Sequence, residues 1–376
     1  MEISSHRPAL TPAGPETLRP TPSPAAPPVA LPGDSVQIGP AAAPTPSGPV
    51  STAPAAPEVV RSAAQAGLQG ATDLALSLAG QPAVTAAIRP PSSEMTERLK
   101  ALLPKNPFHI SAGEADRLAS ELGVSKQQLM VELIPVARAY ARPPISHYQV
   151  GAVGLGKSGD LYLGVNLEFD RQALNQTVHG EQFVTANAMA HGETGLEAIA
   201  VSAEPCGHCR QFLNELDGGG NLTVYIPEKQ PIQLQELLPR SFGPADLGIQ
   251  AGLLAQHSAP LALPEGAPEL ARQAAEVANT SYAPYSKNPS GVALRTADGA
   301  TFRGAYAENA AFNPSLSPLQ AALIQMVAAG RDYREIAEAA LVEARDAQVS
   351  QIGNTRFLLE QIAPQVRLSV HLAPGS

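Results

Sequence analysis

The pattern of apolar and polar positions changes part-way along the chain, and it predicts helices first and a mixed structure afterwards. Residues 92–103 carry a helical pattern that Pro104 ends. Two capping-box patterns follow, Ser111-x-x-Glu114 and Ser125-x-x-Gln128, and each opens a further helical stretch. We therefore predict a small helical domain over residues 91–145.

Beyond Ser146 the period shortens to that of β-strands. Residues 148–155 and 161–169 are predicted strands, and the turn between them, Gly-Lys-Ser-Gly-Asp at 156–160, joins them as a hairpin. The elements predicted next are a helix over 178–190, a strand over 196–203, a helix over 206–216 and a strand over 223–226. Strands that alternate with helices in this way predict an α/β layered domain.

The segment after about residue 265 resembles a second copy of the first α/β segment, at a fixed offset of 140 positions. The matching pairs are mostly turn residues, namely Pro144 and Pro284, Ser146 and Ser286, Gly151 and Gly291, Gly159 and Gly299, Gly164 and Gly304, and Glu168 and Glu308. Chance is the alternative explanation, since glycine and proline recur in any loop-rich chain. The repeat predicts a duplicated α/β fold, with copies over 146–264 and 265–376.

Past Glu308 the offset falls by two, which places Gln320 at the position of Gln182 and Ser317 at the position of His179. The second copy holds no cysteine. It therefore keeps the scaffold without the metal ligands that the first copy offers.

The N-terminal segment differs in composition from the rest of the chain. Residues 1–57 contain fifteen prolines, and the first aromatic residue is Phe108. Such a segment cannot bury enough apolar surface to offset its chain entropy. We therefore predict that residues 1–90 form a disordered, proline-rich tail.

Charge and hydropathy exclude several classes of partner. The net charge is −9, and no basic stripe interleaved with aromatic residues occurs, so the electrostatic footprint of a polynucleotide-binding protein is missing. No apolar run approaches membrane-spanning length, and the N-terminus has no apolar signal region. We expect a cytoplasmic protein that acts on a small substrate.

The chain has two cysteines, and both lie in Pro205-Cys206-Gly207-His208-Cys209, downstream of His179-Gly180-Glu181. This spacing favours a metal site over a disulfide. His179, Cys206 and Cys209 offer three ligands for one zinc ion per chain and leave the fourth position to water, as catalytic zinc requires. Glu181 would lie close enough to act as general acid and base. The alternative is a closed structural site, with His191 or His208 as the fourth ligand.

An H-x-E motif followed by P-C-x-x-C is the signature of zinc-dependent base deaminases. On this motif, and on the segments 164–169, 242–244 and 306–314, residues 92–376 resemble the cytidine deaminase family in its two-domain homodimeric form. The resemblance implies a three-layer α-β-α fold in duplicate. It also implies hydrolytic deamination of cytidine or deoxycytidine to uridine or deoxyuridine, with release of ammonia.

The same resemblance implies the substrate-binding residues. Asn166 and Glu168 would hydrogen-bond the ribose 3′-hydroxyl, and Tyr148 would lie beside the base. Phe242 and the Ala311-Phe312 segment, contributed by the partner subunit of a homodimer, would wall the pocket. Without the resemblance, the aromatic residues would be interpreted as ordinary strand and core residues, and the two polar residues as the polar end of a strand.

Three departures from the family pattern bear on activity. Gly180 stands where the family has alanine or valine, and glycine costs about 1 kcal/mol in a helix interior but less near its start. Glu204 replaces a small or hydroxyl residue before the cysteine motif, where a carboxylate could shift substrate preference. Phe183 and Val184 are bulkier than expected and fill either the pocket or the core.

Two hypotheses of function follow. The first is a cytidine deaminase of pyrimidine salvage, favoured because every chemical residue of the motif is retained. The second is a secreted effector or regulatory protein that uses the deaminase fold for binding or for an altered nucleoside. The tail motivates the second hypothesis, because it resembles the leader of bacterial type III secreted effectors. An ordinary extension or a misassigned start codon would explain the tail equally well.

Overall fold

The structure is a computed structural model that describes residues 88–258 and 260–374. The predicted disordered tail therefore lies outside the described residues, apart from its last three. Within the described ranges, none of the helices combines the length and hydrophobicity that a membrane span requires.

The first described elements are three helices, each preceded by a serine at its N-cap, and one short strand. In chain order they are α1 (Ser93–Leu102), the strand β1 (His109–Ile110), α2 (Ala112–Leu122) and α3 (Lys126–Arg138). The Ser92 hydroxyl accepts a hydrogen bond from the Met95 N–H, and the Ser125 hydroxyl accepts one from the Gln128 N–H. The Ser111 hydroxyl makes no such bond. The strand β1 was not predicted, and it pairs with the sheet of the next segment.

The first α/β segment forms a six-stranded mixed sheet in the order β1-β3-β2-β4-β5-β6. Its elements are β2 (Gly151–Gly156), β3 (Leu161–Val165), α4 (Gly180–Ala190), β4 (Leu196–Val201), α5 (Gly207–Leu213), β5 (Thr223–Tyr225), β6 (Ile232–Gln233) and α6 (Leu234–Leu237). Strands β2 and β3 form the predicted antiparallel hairpin, and β4 and β5 are parallel.

The second α/β segment repeats this topology in a four-stranded sheet of order β10-β9-β7-β8. Its elements are α7 (Glu269–Ala278), β7 (Ser290–Thr296), β8 (Thr301–Ala305), α8 (Pro318–Ala328), β9 (Ile336–Ala344), α9 (Ile352–Ile362) and β10 (Leu368–Ala373). The hairpins have the same register, since Gly151 pairs with Val165 and Gly291 pairs with Ala305. The duplication predicted from the turn residues is therefore present in the fold.

Of the repeated glycines, Gly159 and Gly299 lie in the hairpin turns with positive φ, and the other two pairs lie in strands on which helices pack directly. A Cβ atom at Gly164 would lie 2.5 Å from the Gly180 carbonyl oxygen of α4, and one at Gly304 would lie 2.1 Å from the Ala322 nitrogen of α8. On the opposite face of β2, a Cβ atom at Gly151 would lie 2.5 Å from a carbonyl oxygen of α3. Each sheet is thus covered by a helix on both faces, which gives the predicted three layers.

We expect Gly304→Ala to lower the free energy of unfolding by about 2 kcal/mol or more, because the added methyl group forces α8 away from β8. Thermal unfolding followed by circular dichroism measures the loss. Gly113→Ala is the matched control, since Gly113 lies in α2 with no atom within 4 Å of an added Cβ. That variant should be neutral or slightly stabilising. Equal melting temperatures for the two variants would contradict the close packing.

The two segments share one hydrophobic core, in which α4 packs against α8. Two reciprocal hydrogen bonds join them at equivalent positions. The Gln182 amide donates to the Pro314 carbonyl at 3.0 Å, and the Gln320 amide donates to the Gln176 carbonyl at 2.7 Å. The shortened offset that aligns Gln182 with Gln320 in sequence therefore corresponds to a pseudo-two-fold relation between the copies.

Candidate metal centre

Two helix N-termini converge on the three predicted metal ligands. His179 is the N-cap residue of α4, and Cys206 is the N-cap residue of α5, with Cys209 in the first turn of that helix. The helix N-terminus carries partial positive charge and free backbone N–H groups, both of which stabilise thiolates. The local fold thus brings together residues that are far apart in the chain.

The distances among the three ligands fit a tetrahedral zinc ion. His179 Nδ1 lies 3.6 Å from Cys206 Sγ and 3.3 Å from Cys209 Sγ, and the two sulfur atoms lie 3.6 Å apart. Ordinary zinc–nitrogen and zinc–sulfur bond lengths in a tetrahedron place nitrogen and sulfur about 3.6 Å apart and two sulfurs about 3.8 Å apart. The donor set and its spacing therefore suit zinc.

Neither histidine proposed for a closed site joins the cluster. His191 is the C-cap residue at the opposite end of α4. The His208 ring stacks on the His179 ring at 4.8 Å, but its nitrogens lie outside the group that could share one ion. Among the described residues, this group has three members, which fits an open catalytic site better than a closed structural one.

The two thiols are hydrogen-bonded to each other. The contacts of Cys206 with Cys209 and with His179 lower the pKa of Cys206 to about 3. The same hydrogen bond, with burial, raises the pKa of Cys209. Metal binding must therefore displace the remaining thiol proton, so zinc affinity is expected to fall at low pH.

A cavity of about 290 Å³ opens beside the three ligands, and Glu181 lines it. The Glu181 side chain is buried, and burial raises the pKa of its carboxyl group. A carboxyl group with a raised pKa can both accept and deliver a proton near neutral pH. Glu181 is therefore a candidate for general acid–base work, since it is buried beside the candidate ligands and its pKa is raised.

Asn166 and Glu168 line the same cavity and hold its rim in place. The Asn166 side chain donates to the Tyr148 carbonyl at 2.8 Å and accepts from the Val150 N–H at 2.9 Å. Glu168 accepts from the Ser146 hydroxyl and from the Ile145 and Ser146 N–H groups. Burial tends to raise the pKa of Glu168, but these hydrogen bonds outweigh it and lower the pKa.

The Asn166 amide also explains why β2 begins at Gly151 rather than at Tyr148 as predicted. It hydrogen-bonds the backbone of residues 148 and 150, which would otherwise pair within a ladder. Tyr148 consequently lies in the loop before the strand, lines the cavity and is 59% exposed. It is not the half-buried strand aromatic of the alternative interpretation.

The other aromatic residues implied by the resemblance lie outside this cavity. Phe242 is 48% exposed and Phe312 is 67% exposed, so neither is a core residue. Neither of them, nor Ala311, lines the cavity of their own chain. A single chain thus brings together the metal ligands, Glu181, Asn166, Glu168 and Tyr148, but not these three.

The residues that depart from the family pattern lie in different environments. Phe183 and Val184 are fully buried, and the Phe183 ring stacks on Phe108 at 5.1 Å, so they fill the core rather than the pocket. A Cβ atom at Gly180 would lie 3.1 Å from a methyl group of Val150, a contact that needs only a small shift. Glu204 lines the cavity and forms an ion pair with Lys229.

Sequence reasoning did not assign Ser146 a role, although its match with Ser286 was a usable signal. The second copy has the same brace, in which Glu308 accepts from the Tyr285 N–H at 2.7 Å and the Ser286 N–H at 3.1 Å. In both copies the glutamate accepts from two backbone N–H groups of the loop before the first strand of the hairpin, and the serine hydroxyl accepts from the N–H two residues further on, that of Tyr148 or Asn288. Nothing in the sequence indicated that Lys229 would form an ion pair with Glu204.

Residues 124–224 and residues 234–356 each match a family model described as the cytidine and deoxycytidylate deaminase zinc-binding region. The cytidine deaminase of Vibrio vulnificus strain YJ016 is 46% identical to this chain over 260 residues, which cover 69% of this chain and 88% of that protein. The chain belongs to the cytidine deaminase family. The cytidine deaminase of Shewanella loihica is 45% identical over 255 residues, which cover 68% of this chain and 86% of that protein.

Among solved structures, the cytidine deaminase from Mycobacterium tuberculosis is 31% identical to this chain. It covers 32% of this chain and 98% of its own length, with a TM-score of 0.30.

Membership of the cytidine deaminase family confirms the predicted resemblance, the duplicated α/β fold and zinc as the cofactor. The second matched region lacks the ligands for this metal, because it holds no cysteine and Ser317 caps α8 where His179 caps α4. Its one histidine, His257, hydrogen-bonds the Gly252 carbonyl. The His-Cys-Cys set is therefore found only in the first copy.

Proposed function

We propose that this protein catalyses the zinc-dependent hydrolysis of cytidine or deoxycytidine to uridine or deoxyuridine and ammonia. The observation that carries the proposal is the meeting of a His-Cys-Cys ligand set and a buried carboxyl group, Glu181, in one cavity. The relatives reported above are named cytidine deaminases, and their length is almost fully covered.

His179, Cys206 and Cys209 would hold the metal. Zinc in such a site acts as a Lewis acid that brings the pKa of water to about 7. Glu181 would take one proton from the attacking water and deliver it to N3 of the cytosine ring. It would then take the second proton, from the hydroxyl group added at C4, and deliver it to the amine as the C4–N bond breaks. One water is consumed and one ammonia is released, so the atoms balance.

Asn166 and Glu168 are proposed to bind the ribose, with Tyr148 beside the base. Their support is that all three line the cavity. In addition, a hydrogen bond to the Tyr148 carbonyl fixes the Asn166 side chain, and one from the Ser146 hydroxyl fixes the Glu168 side chain, before substrate arrives. The described residues that line the cavity include three glutamates, Glu168, Glu181 and Glu204, and no lysine or arginine. Such a lining favours an uncharged nucleoside over a nucleotide.

Phe242 and the Ala311-Phe312 segment are proposed to wall the cavity of the partner subunit in a homodimer. Their exposure supports this, because large apolar side chains on a surface commonly mark an interface. The domain boundaries at 90, 145 and 264 also remain proposals, as does a cytoplasmic location. No observation on the described residues favours the secreted or regulatory hypothesis.

The test uses purified, zinc-loaded protein with cytidine, deoxycytidine and deoxycytidylate, followed by ultraviolet absorbance and ammonia release. We expect turnover of both nucleosides, and a kcat/KM for deoxycytidylate at least about 100-fold lower because the cavity carboxylates repel its phosphate. Glu204→Gln should reduce the difference in kcat/KM between the nucleosides and deoxycytidylate, because it removes one of these carboxylates. Failure of the zinc-loaded protein to deaminate either nucleoside would overturn the proposal.

A further inference from the structure

A buried carboxylate joins the metal-bearing copy to the metal-free copy. Glu215 follows α5, and its side chain is fully buried, with 0% of the residue exposed. Its Oε1 accepts hydrogen bonds from the hydroxyls of Tyr282, at 2.7 Å, and Tyr285. Its Oε2 accepts from the Ala310 N–H at 2.8 Å. All three donors belong to the metal-free copy, so the carboxylate acts entirely between the two copies.

The Ala310 N–H lies next to the Ala311-Phe312 segment, and α5 holds this loop at a second point. The Asn309 side chain donates to the Gln211 carbonyl of α5 at 2.9 Å and accepts from the Ala311 N–H at 3.0 Å. The Phe312 ring lies 6.2 Å from the Tyr285 ring, which Glu215 also holds. These contacts hold the loop that carries the Ala311-Phe312 segment against α5 and Glu215.

The backbone at Phe312 needs this support. Its φ is +61°, a left-handed conformation that is uncommon for a bulky side chain and persists only where the surroundings impose it. The result is an aromatic side chain that is 67% exposed on a rigidly held loop. Glu215 itself does not line the cavity of its own chain.

We propose that Glu215 is a positioning residue for the active site of the opposite subunit. It holds the Ala311-Phe312 segment in the conformation that walls the partner's cavity, and it has no part in the chemistry of its own cavity. This inference rests on the proposed function, because it needs the segment to act across the dimer.

In the homodimer, Glu215→Gln should raise KM for cytidine roughly tenfold, with kcat and zinc content changed much less. The amide can still accept from the tyrosine hydroxyls, but its NH2 group cannot accept from the Ala310 N–H. Tyr285→Phe is a milder variant that removes one donor and should shift KM in the same direction. It also serves if the glutamine variant fails to fold.

Glu343→Gln is the matched control. Glu343 is 2% exposed and also accepts three hydrogen bonds, from Asn288, Ser350 and Gln351, but all of these donors belong to its own copy. Its loss should lower the melting temperature and leave KM unchanged. A KM raised equally by both variants would mean that general destabilisation causes the effect, which would overturn the proposal.

Hybrid dimers decide which active site Glu215 serves. One subunit carries Glu181→Gln, which silences its own site, and the other carries Glu215→Gln; two affinity tags isolate the mixed dimer. The one working site then receives its wall from a subunit with an intact Glu215. We expect KM to return to the wild-type value. A KM that stays at the value of the Glu215→Gln homodimer would show that Glu215 acts within its own chain, and the proposal would be wrong.

A second hybrid separates this inference from the proposal beneath it. Phe312→Ala paired with Glu181→Gln should also restore the wild-type KM, if the segment walls the partner's cavity. If this hybrid keeps the KM of the Phe312→Ala homodimer, Phe312 acts within its own chain. The proposed site shared across the dimer would then be wrong, whatever the role of Glu215. If the KM of this hybrid is restored while that of the Glu215 hybrid is not, only the role of Glu215 is wrong.

Discussion

Glu181→Gln is expected to lower kcat for cytidine roughly 10³- to 10⁴-fold while the protein keeps its zinc. The amide has nearly the same shape as the carboxyl group but cannot take a proton from water or deliver one to the ring nitrogen. Glu181 lies in a buried position beside the ligands without belonging to the ligand group, so metal binding should not depend on its charge. Steady-state kinetics and metal analysis of the same preparation measure both results.

Glu193→Gln is the matched control, because it makes the same substitution at another buried carboxyl group. Glu193 follows the far end of α4 and accepts hydrogen bonds from Ser158, Tyr162 and Thr194, away from the cavity. It should cost stability and leave kcat close to the wild-type value. Turnover by Glu181→Gln within about tenfold of wild type would rule out the proton-transfer role.

Cys209→Ala is expected to abolish both zinc binding and turnover. The substitution leaves one thiolate and one imidazole, and two ligands do not make a stable catalytic zinc site in place of three. Because zinc binds the folded protein and not the unfolded chain, its loss should also lower the melting temperature. Metal analysis, calorimetry and the deaminase assay check these outcomes, and a chelator added to the wild-type protein should reproduce them.

His208→Ala is the matched control for this variant. His208 lies within the same motif and stacks on His179, yet its nitrogens lie outside the ligand group. It should therefore keep one zinc per chain and most of its activity. Stoichiometric zinc in Cys209→Ala, or its loss in His208→Ala, would contradict the assignment of the ligands.

The candidate ligand set, which the structure brings together, was visible in the sequence because its chemistry is local. Each candidate ligand lies at a helix N-cap or in the first helical turn, and the histidine and cysteine motifs carry the residue types that zinc requires at a spacing that helices can use. The duplication was visible for a similar reason. Gly164 and Gly304 have helix backbone where a Cβ would lie, and no other residue fits, so each position keeps its glycine whatever surrounds it.

The less local features were not predictable from one sequence. The strand expected from Tyr148 begins only at Gly151, because the Asn166 side chain takes over the backbone groups at the start of that segment. Phe183 fits either a pocket or a core on composition alone, and only its stacking on Phe108 decides between them.

The sequence by itself determined the candidate zinc ligands, the glutamate proposed to carry protons and the existence of two copies, because these depend on residue type and short spacing. Tertiary structure decided how the copies meet. Glu215 and Ala310 are 95 positions apart, and no spacing rule relates them; their contact exists because a buried carboxylate must find donors wherever the packed copies supply them. The exposed position of Phe312 likewise depends on how the two copies pack, and only the tertiary structure shows it.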